Sequence, residues 1–142
     1  MSPMKPVGYS GRPLVLKLGF KAGDRIKTRN APPNYIELLD PLPKGIVVSE
    51  RLRSSVDAWH LFTASRAELE HMIPECLRDI TQNGMIWVSW PKKASRVFSE
   101  ITEDDVRAVA LPYGLVDVKV CAVTAVWSGL KLVIRRENRV KR

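Results

Sequence analysis

The stretch Asn83–Arg96, NGMIWVSWPKKASR, decides how the chain is read. Asn83-Gly84 is a turn signal, because both residues tolerate positive φ. Met85-Ile86-Trp87-Val88 is a short apolar run with aromatic and β-branched residues, the composition of a strand covered on both faces. Pro91 has no N–H to give to a ladder, so this strand is expected to end by Trp90. Lys92 and Lys93 follow at once. In an open α/β sheet, ligands bind just past the carboxyl ends of the strands. The two lysines are therefore either holders of an anionic ligand or ordinary solvated loop residues.

Working outward, residues 1–9 carry two prolines and a glycine and read as a flexible segment. Ser10 can cap a helix over residues 11–18 that ends at Gly19. Arg25–Arg29 reads as a first strand in which Ile26 and Thr28 alternate with three basic residues, an unusual pattern for a central parallel strand. A short helix is expected over Asn34–Leu39, a second strand at Ile46–Val48 ending in Ser49-Glu50, and a third at Asp57–Thr63. Ser65 and Glu68 have the spacing of a capping box. The helix they open carries an apolar stripe at Leu69, Met72, Ile73, Leu77 and Ile80, with a kink or break expected at Pro74. Thr102 can cap a helix to about Leu111. Two alternating runs around Ser128-Gly129 read as a β-hairpin over 117–135. Strands alternating with helices imply one three-layer, Rossmann-like α/β domain over residues 10–136. Its sheet is mostly parallel and closed by a C-terminal antiparallel β-hairpin, and a basic tail follows at 137–142.

A chain of 142 residues with 45% hydrophobic content can bury a core as one domain. The net charge of +8 is unevenly placed: +6 over residues 1–30, +5 over 131–142 and −3 between them. Charge at the ends can attract nucleic acid or acidic membrane weakly, whereas a dedicated nucleic-acid domain carries it along a folded face. Cys76 and Cys121 are too few for a metal knuckle, although one disulfide stays open. No apolar run reaches the roughly 18 residues of a membrane helix, and the first residues lack a signal-peptide core. A cytoplasmic protein without membrane insertion is expected.

No motif brings a serine, histidine and acid together, and no phosphate-binding glycine loop exists. His60, inside a strand, is expected to be a core or interface residue, and His71 a surface one. The four tryptophans are expected in the core. No catalytic residue, metal ligand or cofactor is assigned. The candidate ligand-binding residues are Asn30, Glu50, Ser89, Pro91, Lys92 and Lys93, which lie at the ends of strands 1, 2 and 4.

The element order resembles a shortened class I methyltransferase fold, and Leu18–Ile26, LGFKAGDRI, is similar to the entry into the first strand of such enzymes. The resemblance implies a glycine-rich cofactor loop after that strand, but here the loop is Asn30-Ala31-Pro32-Pro33-Asn34. It also implies that Glu50 stands where the family holds the ribose hydroxyls of S-adenosylmethionine. Gly8–Gly11 (GYSG), Trp87–Lys93 (WVSWPKK), Val118–Val123 (VKVCAV) and Trp127–Arg135 (WSGLKLVIR) resemble the small bacterial family called domain of unknown function 3052, which implies the same fold and no known activity. The first functional reading is a non-catalytic binding or regulatory module on a degenerate methyltransferase-like scaffold, with a small anionic ligand or a protein as partner. The alternatives are a small S-adenosylmethionine-dependent methyltransferase with an atypical loop, and a nucleic-acid-associated basic protein.

Overall fold

A computed structural model describes residues 12–140. Four helices, α1 (Leu14–Leu18), α2 (Tyr35–Leu38), α3 (Arg66–Asp79) and α4 (Glu103–Ala110), accompany six strands. The strands are β1 (Arg25–Arg29), β2 (Val47–Ser49), β3 (Val56–Phe62), β4 (Ile80–Pro91), β5 (Leu115–Ala122) and β6 (Trp127–Ile134), in the sheet order β2-β1-β3-β4-β6-β5. β2, β1, β3 and β4 pair in parallel, and β6 pairs antiparallel with both β4 and β5. Among the described residues β6 alone runs against the rest, so the carboxyl ends of the other five share one rim.

The alternation of side chains along β3 and β4 builds two cores. Trp59, Leu61, Ile86, Val88 and Trp90 face α3 and α4, where they meet Leu69, Met72, Ile73 and Val106. Phe62 and Trp87 face the other way, onto Val15 and Leu18 of α1 and Tyr35 of α2. The buried Trp87 Nε1 donates to Leu18 O at 2.9 Å, which ties α1 to the centre of the sheet. No helix among the described residues is long and apolar enough to cross a membrane. Cys76 and Cys121 are both buried and unpaired.

Several local expectations are corrected. The helix start at Ser10 and Gly11 lies outside the described residues; α1 begins at Leu14 behind Pro13. Ser65 caps α3 by accepting from Glu68 N at 3.1 Å, but the Glu68 carboxylate turns to Arg29 and Asn30, so only half of the capping box forms. α3 also runs unbroken through Pro74, which removes one rung, the N–H that would reach Glu70 O. The reciprocal box appears instead at Thr102 and Asp105, opening α4. Ser128 and Gly129 are not a turn but part of β6, and residues 123–126 make the connection. Pro91 is the last residue of β4 rather than the first beyond it. The described part of the tail is bound: Asn138 Nδ2 donates to Gly114 O at 3.2 Å, and Val140 N donates to Gln82 Oε1 at 2.9 Å.

Asn83-Gly84 is not a turn either. α3 passes straight into β4, and the register jumps from Val56↔Ile80 to Ala58↔Met85. The extra residues fold into a bulge against β3, and Gly84 sits where the bulge closes. A Cβ there would lie 3.0 Å from Ile80 Cβ, 3.0 Å from Thr81 O and 3.1 Å from Asp57 O.

At the far edge, β5 places Lys119 directly opposite Lys131. Burial, together with Lys119 and Lys21, lowers the Lys131 pKa. Val118 and Val120, beside Lys119, are exposed.

The crowding at Gly84 gives the first prediction. Two of the three contacts are backbone oxygens that cannot rotate away, so Gly84→Ala should cost about 1–3 kcal/mol, the usual range for overpacking. A urea midpoint unchanged from wild type would show that the bulge has room.

Candidate functional site

The rim of parallel carboxyl ends is where a ligand would meet the sheet. Asn30 follows β1 with φ 60°, a left-handed conformation that asparagine tolerates better than most residues. Its Nδ2 donates to Phe62 O at 3.0 Å and to Glu68 Oε1 at 3.1 Å. Glu68 Oε2 accepts from Arg29 Nε at 3.1 Å. Burial alone would raise the Glu68 pKa, but hydrogen bonds from Thr63, Arg29 and Asn30 outweigh it and hold the group ionised. The ends of β1 and β3 are thus clamped to the first turn of α3.

Beside this clamp is a groove of about 330 Å³ lined by Lys27, Arg29, Asn30, Glu50, Trp59 and Glu75 among others. Lys27 Nζ meets Asp79 Oδ2 at 3.2 Å and lies 5.6 Å from the Trp59 ring centroid. Asp79 is almost buried and also accepts from Trp59 Nε1 at 3.0 Å and Ser54 Oγ at 2.9 Å. Burial opposes its charge; those donors and Lys27 prevail and lower its pKa. The alternating cations of β1 are explained here: Arg25, Lys27 and Arg29 each find an acceptor, respectively Ser55 O, Asp79 and Glu68. The Glu50 side chain, exposed past β2, takes no hydrogen bond or ion pair among the described residues.

The sequence candidates therefore separate into three places. Asn30 and Glu50 share the first groove. Pro91, Lys92 and Lys93 line a second groove of about 520 Å³ beneath the loop after β4. Ser89 lies in neither: it is fully buried, with its Oγ 2.8 Å from His60 Nε2. His60 Nδ1 is in turn 2.6 Å from the Tyr35 hydroxyl, and the His60 ring stacks on Phe62 at 4.1 Å between centroids. Burial pushes the His60 pKa down to about 3 and the Tyr35 pKa up, so both stay neutral. A neutral imidazole has one donor and one acceptor nitrogen, and either tautomer gives a continuous chain. His60 is a satisfied core residue that pins α2 beneath the rim.

Sequence reasoning missed Glu68 and Asp79. Asp79 left a signal: an acid in the last turn of a helix opposes the dipole and needs a compensating partner. Glu68 left none, since its spacing suits a capping box.

No known protein family matches the chain in sequence, and no curated protein does. Its likeness is to solved structures. Magnesium protoporphyrin IX methyltransferase from Synechocystis PCC 6803, with bound S-adenosylmethionine, is 11% identical, with a TM-score of 0.58 over 85% of this chain and 74% of that one. Fibrillarin from Aeropyrum pernix, with natively bound S-adenosyl-L-methionine, is 14% identical, with a TM-score of 0.52 over 89% and 70%. A possible exported protein from Bordetella parapertussis is 8% identical, with a TM-score of 0.60 over 85% and 65%. The fold is methyltransferase-like. At these identities the likeness speaks of the fold alone.

The buried histidine sets a pH dependence. An unfolded His60 takes a proton below about 6.5, whereas the folded one stays neutral to about 3. Its contribution is complete above pH 6.5 and falls by about 1.4 kcal/mol per unit below that, so acidifying from pH 7 to 5 should cost about 2 kcal/mol. Imidazole nitrogen shifts read by NMR should show His60 neutral at pH 5. A ring titrating near 6.5 would contradict the buried chain.

Proposed function

We propose that the chain is a small S-adenosylmethionine-dependent methyltransferase with an atypical cofactor loop. One observation carries the reading: Glu50, a carboxylate without a partner among the described residues, shares a groove with Asn30 at the carboxyl ends of two adjacent parallel strands. A carboxylate there can accept both hydroxyls of a ribose. The structural likeness supports this over a scaffold without ligand, since the Synechocystis and Aeropyrum neighbours hold S-adenosylmethionine in the same fold.

The cofactor's amino-acid end meets a different loop. Pro32 and Pro33 offer no N–H and cannot take a glycine's positive φ. What the groove offers instead is Arg29, whose side chain is 48% exposed and bonded to Glu68 through Nε, leaving its terminal nitrogens for a carboxylate. The cofactor would supply an activated methyl group, whose transfer depends on alignment of the reacting atoms more than on an acid or base. The lack of a catalytic triad is therefore no objection. The second reading, a non-catalytic binding module, is favoured by the same two prolines. The motif resemblance to domain of unknown function 3052 and a cytoplasmic location are compatible with either.

Calorimetry with S-adenosylmethionine separates them from a scaffold that binds nothing. The expected affinity is weaker than about 10 μM, near −7 kcal/mol, because the loop donors are missing. Glu50→Ala should weaken it about tenfold, the worth of a charge-assisted hydrogen bond. No heat at millimolar cofactor would refute both the site and the enzyme. Binding without methyl transfer to any host fraction would leave the module.

A further inference from the structure

The second groove gathers three basic side chains from one short loop. β4 runs out to Pro91, and Lys92 N then donates to Val126 O at 2.7 Å, which fixes the loop to the β5–β6 connection. A short helical turn follows at Lys93–Ser95, and Arg96 reverses the chain with φ 61°, a conformation unfavourable for arginine. The turn is held by its own bonds, Ser95 Oγ to Lys92 O at 2.7 Å and Val97 N to Ser95 Oγ at 3.1 Å. None of the three cationic side chains takes part: those of Lys92, Lys93 and Arg96 have no hydrogen bond or ion pair among the described residues.

The acids along this edge have other partners: Glu103, Asp104 and Asp117 share Arg107, Asp105 takes Thr102 and Arg66, and Glu100 accepts from Arg66 N, so no ion pair among the described residues reaches the three loop cations. The residues outside the described range, 1–11 and 141–142, contain no Asp or Glu side chain that could compensate. Lys92, Lys93 and Arg96 line a concave groove of about 520 Å³ whose wall also holds Trp90, Val97, Ser128 and the Arg107-paired Glu103. Further along the same loop, between the groove-lining Val97 and Ser99, Phe98 is 78% exposed, the most exposed large apolar residue described.

We propose that this groove binds single-stranded nucleic acid, with backbone phosphates at Lys92, Lys93 and Arg96 and a base stacked on Phe98. Cations without ion pairs along a groove, and an exposed aromatic ring on the same loop, are the two elements of sequence-tolerant single-strand binding. A bilayer is a poorer fit, because it cannot enter a concavity and one phenylalanine is a small anchor. A duplex would bring its phosphates but no free base face for Phe98. Binding here stands without the cofactor; only the further step, that the strand is the methyl acceptor, rests on the methyltransferase reading.

The test uses the full chain with fluorescein-labelled oligouridine and oligothymidine of about 12 nucleotides, a length within the usual single-strand site range, and a duplex of equal length. Anisotropy is read across 50–200 mM salt, with anionic phospholipid vesicles as a separate arm. The expected result is preference for the single strand, with a log–log salt slope near −2 for three phosphate contacts. Lys93→Glu/Arg96→Glu should lose at least tenfold in affinity with the thermal midpoint kept. Phe98→Ala should lose about threefold to tenfold with the slope unchanged, since stacking carries no charge. If the double charge reversal unfolds the protein, Lys93→Gln/Arg96→Gln replaces it with the same expectation at smaller size. Wild-type affinity in a folded loop variant overturns the proposal, and so does equal binding of duplex or binding of vesicles alone. Oligonucleotide binding lost in the loop variants while cofactor heat persists separates this site from the first groove. Cofactor heat absent with strand binding intact would sink the methyltransferase reading alone.

Discussion

β3 and β4 are buried on both faces, and every polar side-chain atom they carry inward has to find a partner there, because an unmatched buried donor or acceptor costs about 1–3 kcal/mol. Three sets of contacts answer this requirement. Trp87 reaches Leu18 O and so fixes α1. His60 and Ser89, neighbours across the β3–β4 pair, are closed by Tyr35 and so fix α2. Trp59 reaches Asp79, which draws in Lys27 and joins β1 to the end of α3. The two small helices opposite α3 and α4 are therefore each held by a hydrogen bond into a central strand as well as by apolar packing. α1 and α2 have five and four residues, too short to persist alone.

The same economy shapes the rim. Asn30, Arg29 and Glu68 close the gap between the ends of β1 and β3 with charged hydrogen bonds, where a glycine loop would have left backbone N–H groups open to a ligand. The Glu50 carboxylate on the β2 side and the cations of Lys92, Lys93 and Arg96 after β4 stay without partners among the described residues.

The alternation of strands and helices is legible in the sequence because each strand is a compact apolar run and each main helix carries its own cap. The local errors share a cause. Asn83-Gly84 and Ser128-Gly129 have turn chemistry, yet Gly84 serves a bulge and Gly129 lies in β6 packed against Trp87 and Val123, a closeness that also needs glycine. A glycine wanted for space looks the same as one wanted for φ. Among the candidate residues, the placement of Asn30, Glu50, Lys92 and Lys93 at the rim is legible because strand ends in a parallel sheet collect there. The burial of Ser89 is not legible, since its environment depends on Tyr35 and His60, which come from two other elements. Nor is the placement of Arg96, which comes from a reversal of the chain that no residue-level preference would suggest.

The outer edge of β5 has a consequence for life in a crowded solution. An open strand edge with exposed Val118 and Val120 is a template for another strand to add to. Lys119 stands between the two valines and faces Lys131 across the pair, a like-charge placement that weakens the sheet itself. A second copy docking by the same edge would bring two more lysines into that field. The repulsion that is a local defect in one molecule thus acts as a barrier to self-association between molecules, and it is weakest where salt or a bound polyanion screens it.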